Sequence, residues 1–221
     1  MQEKKPSEPD PNTLPRNDYT SKEARAIALM AAQFCRLPDC DTVKTFGKAV
    51  FPTQRKTAQR GSLIIDKSNK KIGMYDDNTT PRWALCWSHG IIGGDKALKG
   101  WHVAHVWNKC NNVHCYTRLE NLLLVPAAYA GLTDDDGPLT PYLRYHAFDA
   151  YEKWHPECKQ RPEKPEDYDA FSSARQYLHA EGGNARERVL TQLKKSQSKR
   201  AKVLQNFIKN ISYWDQASGK A

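Results

Sequence analysis

No stretch of the 221-residue chain carries the long apolar run that a bilayer span or a secretory leader requires. The longest apolar patch near the N-terminus, Ala26 to Ala32, falls far short of the roughly 20 residues needed. Internal repeats and low-complexity runs are also missing, which sets aside solenoids and repetitive arrays. None of the six cysteines forms a Cys-x-x-Cys doublet, so neither a strong zinc signature nor a disulfide framework is demanded. Together these absences lead to the expectation of a cytoplasmic protein whose cysteines are thiols or metal ligands. Apolar content of 39% is modest but adequate for one sizeable domain, or a catalytic core with a smaller appendage.

Acidic residues are in deficit. Thirty-four Lys and Arg stand against 25 Asp and Glu, for a formal charge of +9 and a pI near 9.2. Such a balance suits a polyanionic partner, because each phosphate neutralised releases counterions. The excess is concentrated after Gly183, where nine basic residues face only Glu187 and Asp215. Lys194, Lys195, Lys199, Arg200 and Lys202 form its densest part. The same tail holds Val203, Leu204, Phe207, Ile208 and Ile211 at helical spacing, followed by Trp214. This predicts an amphipathic helix docked on protein by one face, its basic face turned to solvent, to DNA or to a second copy of the chain.

The expected organisation is a mobile polar arm over 1–17, an α+β core over 18–160 and a helical, basic segment over 161–221. The arm carries prolines at 6, 9, 11 and 15. Ser21 is expected to cap a helix with Ala26, Ile27, Met30, Ala31 and Phe34 on its packed face, ending near Cys35. Strands are expected at 62–65, 72–75 and 83–87, and helices at 142–154 and 168–180, the last ending at Gly182-Gly183. Prolines 156, 162 and 165 mark the linker between the last two.

The segment from Gly100 to Asp136 is the most informative. His102 and His105 lead out of a short apolar strand, and Asn121 opens a second strand, Asn-Leu-Leu-Leu-Val-Pro, sixteen residues beyond His105. A histidine at a strand end can take a proton from water near neutral pH, since its ordinary pKa is about 6.5. An asparagine amide both donates and accepts, so Asn121 can fix the intervening loop. A short helix after the second strand could offer side chains to a divalent cation, which would neutralise charge developing on a scissile phosphate.

Over about forty residues this pattern resembles the HNH, or ββα-metal, nuclease motif, with His105 at the position of the first histidine and Asn121 at that of the central asparagine. The resemblance implies an α+β protein with a small antiparallel sheet, hydrolysing phosphodiesters of double-stranded DNA with Mg²⁺ or Mn²⁺. It departs from the family twice: Ala104 stands where a ligand often precedes the base histidine, and Ala130 where a helical histidine is usual. His102, sharing strand parity with position 104, and Asp134, thirteen positions after Asn121, are the substitute ligands the resemblance suggests. The family's range includes type II restriction, and symmetric cutting would favour a homodimer. Loss of the usual ligands also admits a DNA-binding protein without activity on a degenerate ββα scaffold.

Arg118, Lys99 and Lys109 flank the two strands and could neutralise substrate phosphates, Arg118 being the best placed for a catalytic role. Glu120 offers it an alternative ion pair. Tyr129 could face the site from the helix, although a phenol is a poor ligand for a hard cation. Cys86 and His89, with Cys110 and Cys115, could together hold a structural zinc bracing the long loop.

Overall fold

In the computed structural model the described residues are 22–93, 96–134, 137–152, 154–157, 161–174 and 176–215. The arm at 1–17 and the Ser21 cap lie outside them. The chain folds as α+β. Helix α1 (Lys22–Ala32) leads to β1 (Arg36–Leu37), α2 (Cys40–Lys44), β2 (Thr53–Arg55), β3 (Leu63–Ile65), β4 (Lys71–Asp76) and α3 (Thr79–Ser88). Next come β5 (Trp101–His105), β6 (Leu122–Pro126), a 3-10 helix (Ala127–Thr133), α4 (Thr140–Ala150), α5 (Tyr168–Ala174), β7 (Gln176–Tyr177), α6 (Ala185–Lys195) and α7 (Lys199–Phe207).

Two small sheets result. The first has the order β5-β6-β1-β7, with β5 and β6 antiparallel in the register His102↔Val125 and His105↔Leu122. The second has the order β2-β4-β3, in which β2 runs parallel to β4 and β3 antiparallel to it. Leu122 to Val125 are buried, as an apolar run covered on both sides should be. One apolar core runs from Ala28 on α1 through these strands to Leu193, Leu204 and Trp214. Residues after 160 therefore share the core, and β7 completes the first sheet beside β1. Among the described residues no helix is long and apolar enough to cross a membrane.

Three sequence expectations are corrected. Residues 83–87, expected as a strand, lie in helix α3, which begins with Thr79-Thr80-Pro81 and stacks Trp83 on Trp87 at 4.7 Å. Buried Asp76 reaches forward to accept from the Thr80 N–H (2.7 Å) and hydroxyl (2.8 Å), satisfying the first turn of that helix. Helix α1 packs through Ala24, Ala28, Ala31 and Ala32, leaving Ile27, Met30 and Phe34 exposed. Small residues let its backbone approach its neighbours closely, and that contact outweighs the larger side chains on the adjoining face. The expected helix at 168–180 stops at Ala174, because Gln176 and Tyr177 pair with Arg36 and Leu37 instead.

Candidate functional site

Strand β5 and the 3-10 helix Ala127–Thr133 lie side by side, and a polar cleft of about 180 Å³ opens beside them. His102, Ala104 and His105 line it from the strand, and Ala130, Thr133 and Asp134 from the helix and its end. Arg55 closes it from the second sheet, Asn78 from the turn between β4 and α3, and Asn108 and Cys110 from the loop between β5 and β6. His102, His105 and Asp134, picked from sequence, are thus brought together. So are the two alanines.

His105 is half-buried, and its Nε2 lies 3.0 Å from the carbonyl oxygen of Tyr116. A carbonyl only accepts, so Nε2 carries the proton and Nδ1 keeps its lone pair. The ring stacks on Tyr116 at 5.2 Å between centroids and 7° between planes. Tyr116 is itself fixed: its hydroxyl accepts from the Asn78 N–H (2.8 Å) and donates to Asn78 Oδ1 (2.9 Å). Burial pushes the His105 imidazole down to about 4, the Tyr116 carbonyl opposes the shift, and the nearby Arg55 charge adds to it. The ring is neutral at pH 7.

Asn121 is fully buried and ties both ends of the loop. Its Oδ1 accepts from the Trp107 N–H at 2.8 Å, and its Nδ2 donates to the Cys115 carbonyl at 3.1 Å. Its backbone carbonyl accepts from Val106 N–H at 2.9 Å. The loop is further laced to the segment before and within β2. Thr117 Oγ1 accepts from Phe51 N–H (2.9 Å) and donates to Phe51 O (2.7 Å), while Arg55 N–H donates to Cys110 O at 2.6 Å. This lacing brings Arg55, far away in sequence, against His105.

Other expected residues go elsewhere. Arg118 turns from the cleft: it pairs with nearly buried Glu120 at 2.9 Å, stacks over Trp154 at 4.9 Å and donates to Gly47 O. Burial pushes the Glu120 carboxyl up, with Arg118 opposing the shift. Lys109 pairs with Glu157, and Lys99 lies exposed in the turn before β5. Tyr129 contacts Phe34, in the turn after α1, at 6.0 Å. In the tail Lys194, Lys195, Lys199 and Lys202 are exposed, but Arg200 points inward to Asp76 (3.1 Å) and Asp77. It braces α7 against the start of α3.

Cys86, His89, Cys110 and Cys115 do not gather. Nδ1 of His89 donates to Leu85 O (2.8 Å), beside the Ser88 hydroxyl, and its Nε2 accepts from Asp39 N–H (2.9 Å), so both ring nitrogens are engaged. Among the described residues no three His, Cys, Asp or Glu side chains cluster as a metal cage. His102 and Asp134 are both exposed in the one cleft, and they are the residues there that could hold a divalent cation.

Sequence reasoning missed Arg55, Tyr116 and Asn78. Asn78 and Asn108 had one legible signal, since asparagine tolerates the left-handed backbone both adopt (φ 77° and 46°). Arg55 and Tyr116 had none, because their roles depend on how two sheets meet. No family model, curated protein or solved structure matches the chain.

Proposed function

We propose that this chain is a metal-dependent endonuclease of the HNH type, acting on the phosphodiester bonds of double-stranded DNA. The observation that carries the reading is the cleft shared by His105, His102 and Asp134, with the His105 ring oriented by a backbone carbonyl. His105 Nδ1 takes the proton of the attacking water, and Asn121 holds the loop whose Tyr116 carbonyl orients that imidazole. Arg55, rather than Arg118, faces the phosphate and neutralises its charge. A Mg²⁺ or Mn²⁺ ion on His102 and Asp134 would stabilise charge on the phosphate and leaving oxygen. An imidazole held near 4 is a weak base in the free protein, and a phosphate anion in the cleft would oppose that depression. The role we favour is type II restriction, with a homodimer presenting two centres to a symmetric target.

The test is incubation with plasmid DNA in Mg²⁺ or in EDTA, beside His105→Ala and Asp134→Ala proteins. Metal-dependent cutting is expected. His105→Ala should lower it by at least about two orders of magnitude, as for loss of a general base, while DNA binding persists. Equal cutting by wild type and His105→Ala would remove this histidine from the chemistry. A second reading, a DNA-binding protein without activity, is favoured by one observation: Ala104 and Ala130 both line the cleft, where the resembled family often carries ligands. DNA retardation without cutting in any metal would decide for it.

A further inference from the structure

A second concavity, of about 460 Å³, lies at the opposite end of the β2–β4 pair from the cleft. Lys48, Lys70, Lys71 and Lys209 line it, with His114, and no carboxylate does. Its apolar walls include Pro52, Val113 and Phe207. Four ammonium groups around one hollow repel each other unless an anion sits among them. Lys48 is the most enclosed of the four. It is half-buried, its Nζ rests 3.6 Å from the centre of the Tyr213 ring, and burial pushes its pKa down. No ion pair joins any of the four to a carboxylate among the described residues.

The hollow is built, not incidental. Gly73 lets β4 pass so close to the chain before β2 that an added Cβ would stand 2.3 Å from the Pro52 carbonyl oxygen and 2.8 Å from Val113. The loop tied by Asn121 therefore presents Cys110 to the cleft and Val113 and His114 to the hollow. From Ile72, which lines the hollow, to Asp76 at the cleft end of β4, four steps of strand span about 13 Å. A nucleic-acid strand covers that distance with about four phosphates at about 3.4 Å each.

We propose that this lysine hollow binds the phosphate backbone of a nucleic-acid strand, as an anchor separate from the catalytic cleft. The identity of the ligand rests on the nucleic-acid substrate proposed above; the anionic character rests on the hollow alone. The experiment measures binding of a labelled DNA duplex in EDTA across a salt series. It compares the wild type, a Lys70→Gln/Lys71→Gln/Lys209→Gln protein, and a charge-matched Lys22→Gln/Lys44→Gln/Lys164→Gln protein whose sites line neither the hollow nor the cleft. All three altered lysines of the hollow are exposed, and thermal melting checks that the fold survives.

Each phosphate that the variant no longer neutralises should flatten the slope of log K against log salt by about 0.9, so the hollow variant should lose about 2 to 3 of slope and at least about tenfold in affinity. The charge-matched variant should lose far less. An equal loss in both variants, or none in the hollow variant, overturns the proposal, as does wild-type protein that binds no duplex. Binding that inorganic tripolyphosphate abolishes, with no gain on going from a mononucleotide to the duplex, assigns the hollow to a small phosphorylated ligand and also overturns it. Cutting is scored separately in Mg²⁺: a protein that binds through the hollow yet never cuts upholds the anchor and ends the nuclease reading, and one that cuts with an idle hollow does the reverse.

Discussion

Asn121 and Arg118 lie three residues apart, and the structure gives them different kinds of work. Asn121 satisfies Trp107 N–H and Cys115 O from a fully buried position. Asn121→Ala should therefore cost about 2–4 kcal/mol, since it orphans a buried donor and leaves a void. Denaturant unfolding checks this, and a cost below about 1 kcal/mol would mean that the loop is held by other bonds. Arg118 pairs with Glu120, whose side chain is only 6% exposed. Arg118→Ala should destabilise by about 2–4 kcal/mol, because a buried carboxylate loses its partner. Under conditions where the variant remains folded, its cleavage should stay within a few-fold of wild type. A stable Arg118→Ala protein without activity would restore the catalytic role that its sequence position suggested.

Elements are joined by polar side chains whose importance their spacing conceals. Arg200 reaches from α7 to Asp76 and Asp77, at the end of β4 just ahead of α3. Arg200→Ala should cost about 2–3 kcal/mol, somewhat less than the usual loss for a broken buried pair because Arg200 is 28% exposed. Lys202→Ala, on the exposed side of the same helix, should change stability by less than about 0.5 kcal/mol. Chemical denaturation of the two variants separates bracing from surface charge. His89 links the end of α3 to the cap of α2 through Asp39 N–H, and burial holds its pKa down at about 4. The unfolded chain takes up this proton near pH 6.5, while the folded chain resists it until about pH 4. Stability present above 6.5 is therefore lost progressively as the pH falls between those values. At pH 5 the loss should be about 2 kcal/mol from His89, with a similar contribution from His105. Urea titrations at pH 7 and pH 5 should show it, with a smaller difference in His89→Gln; an unchanged difference would assign the acid sensitivity elsewhere.

Across the whole molecule, one core links segments that the proline-rich stretch near 160 suggested were separate. Phe171, Leu193, Leu204 and Trp214 are buried in the same cluster as Leu85 and Leu123, and the Trp214 indole donates to Val50 O at 3.1 Å. A fragment ending at residue 160 would expose that core and lose β7 from its sheet edge. It should show no cooperative thermal transition and no native near-ultraviolet signal. A fragment that melts cooperatively would mean that the two parts fold independently.

The chain's own order was enough for β4, β5, β6 and the basic amphipathic tail as far as Phe207, because alternation, an apolar run and helical spacing are local signals, but Ile211, expected on the same stripe, lies beyond α7 and is exposed. It also singled out His102, His105 and Asp134, which the structure brings into one cleft. Residues 83–87 were misread because a five-residue aromatic and apolar run has no period of its own, although Thr79-Thr80-Pro81 just ahead is a helix-start signal. What sequence could not reach was every feature made by contact between distant segments. The alanine face chosen by α1, the inward turn of Arg200, the approach of Arg55 to His105 and the gathering of Lys48 with Lys70, Lys71 and Lys209 are all of this kind. Hydrogen-bonding patterns and local periodicity are encoded within a few residues, whereas a site between two sheets depends on how the whole chain packs.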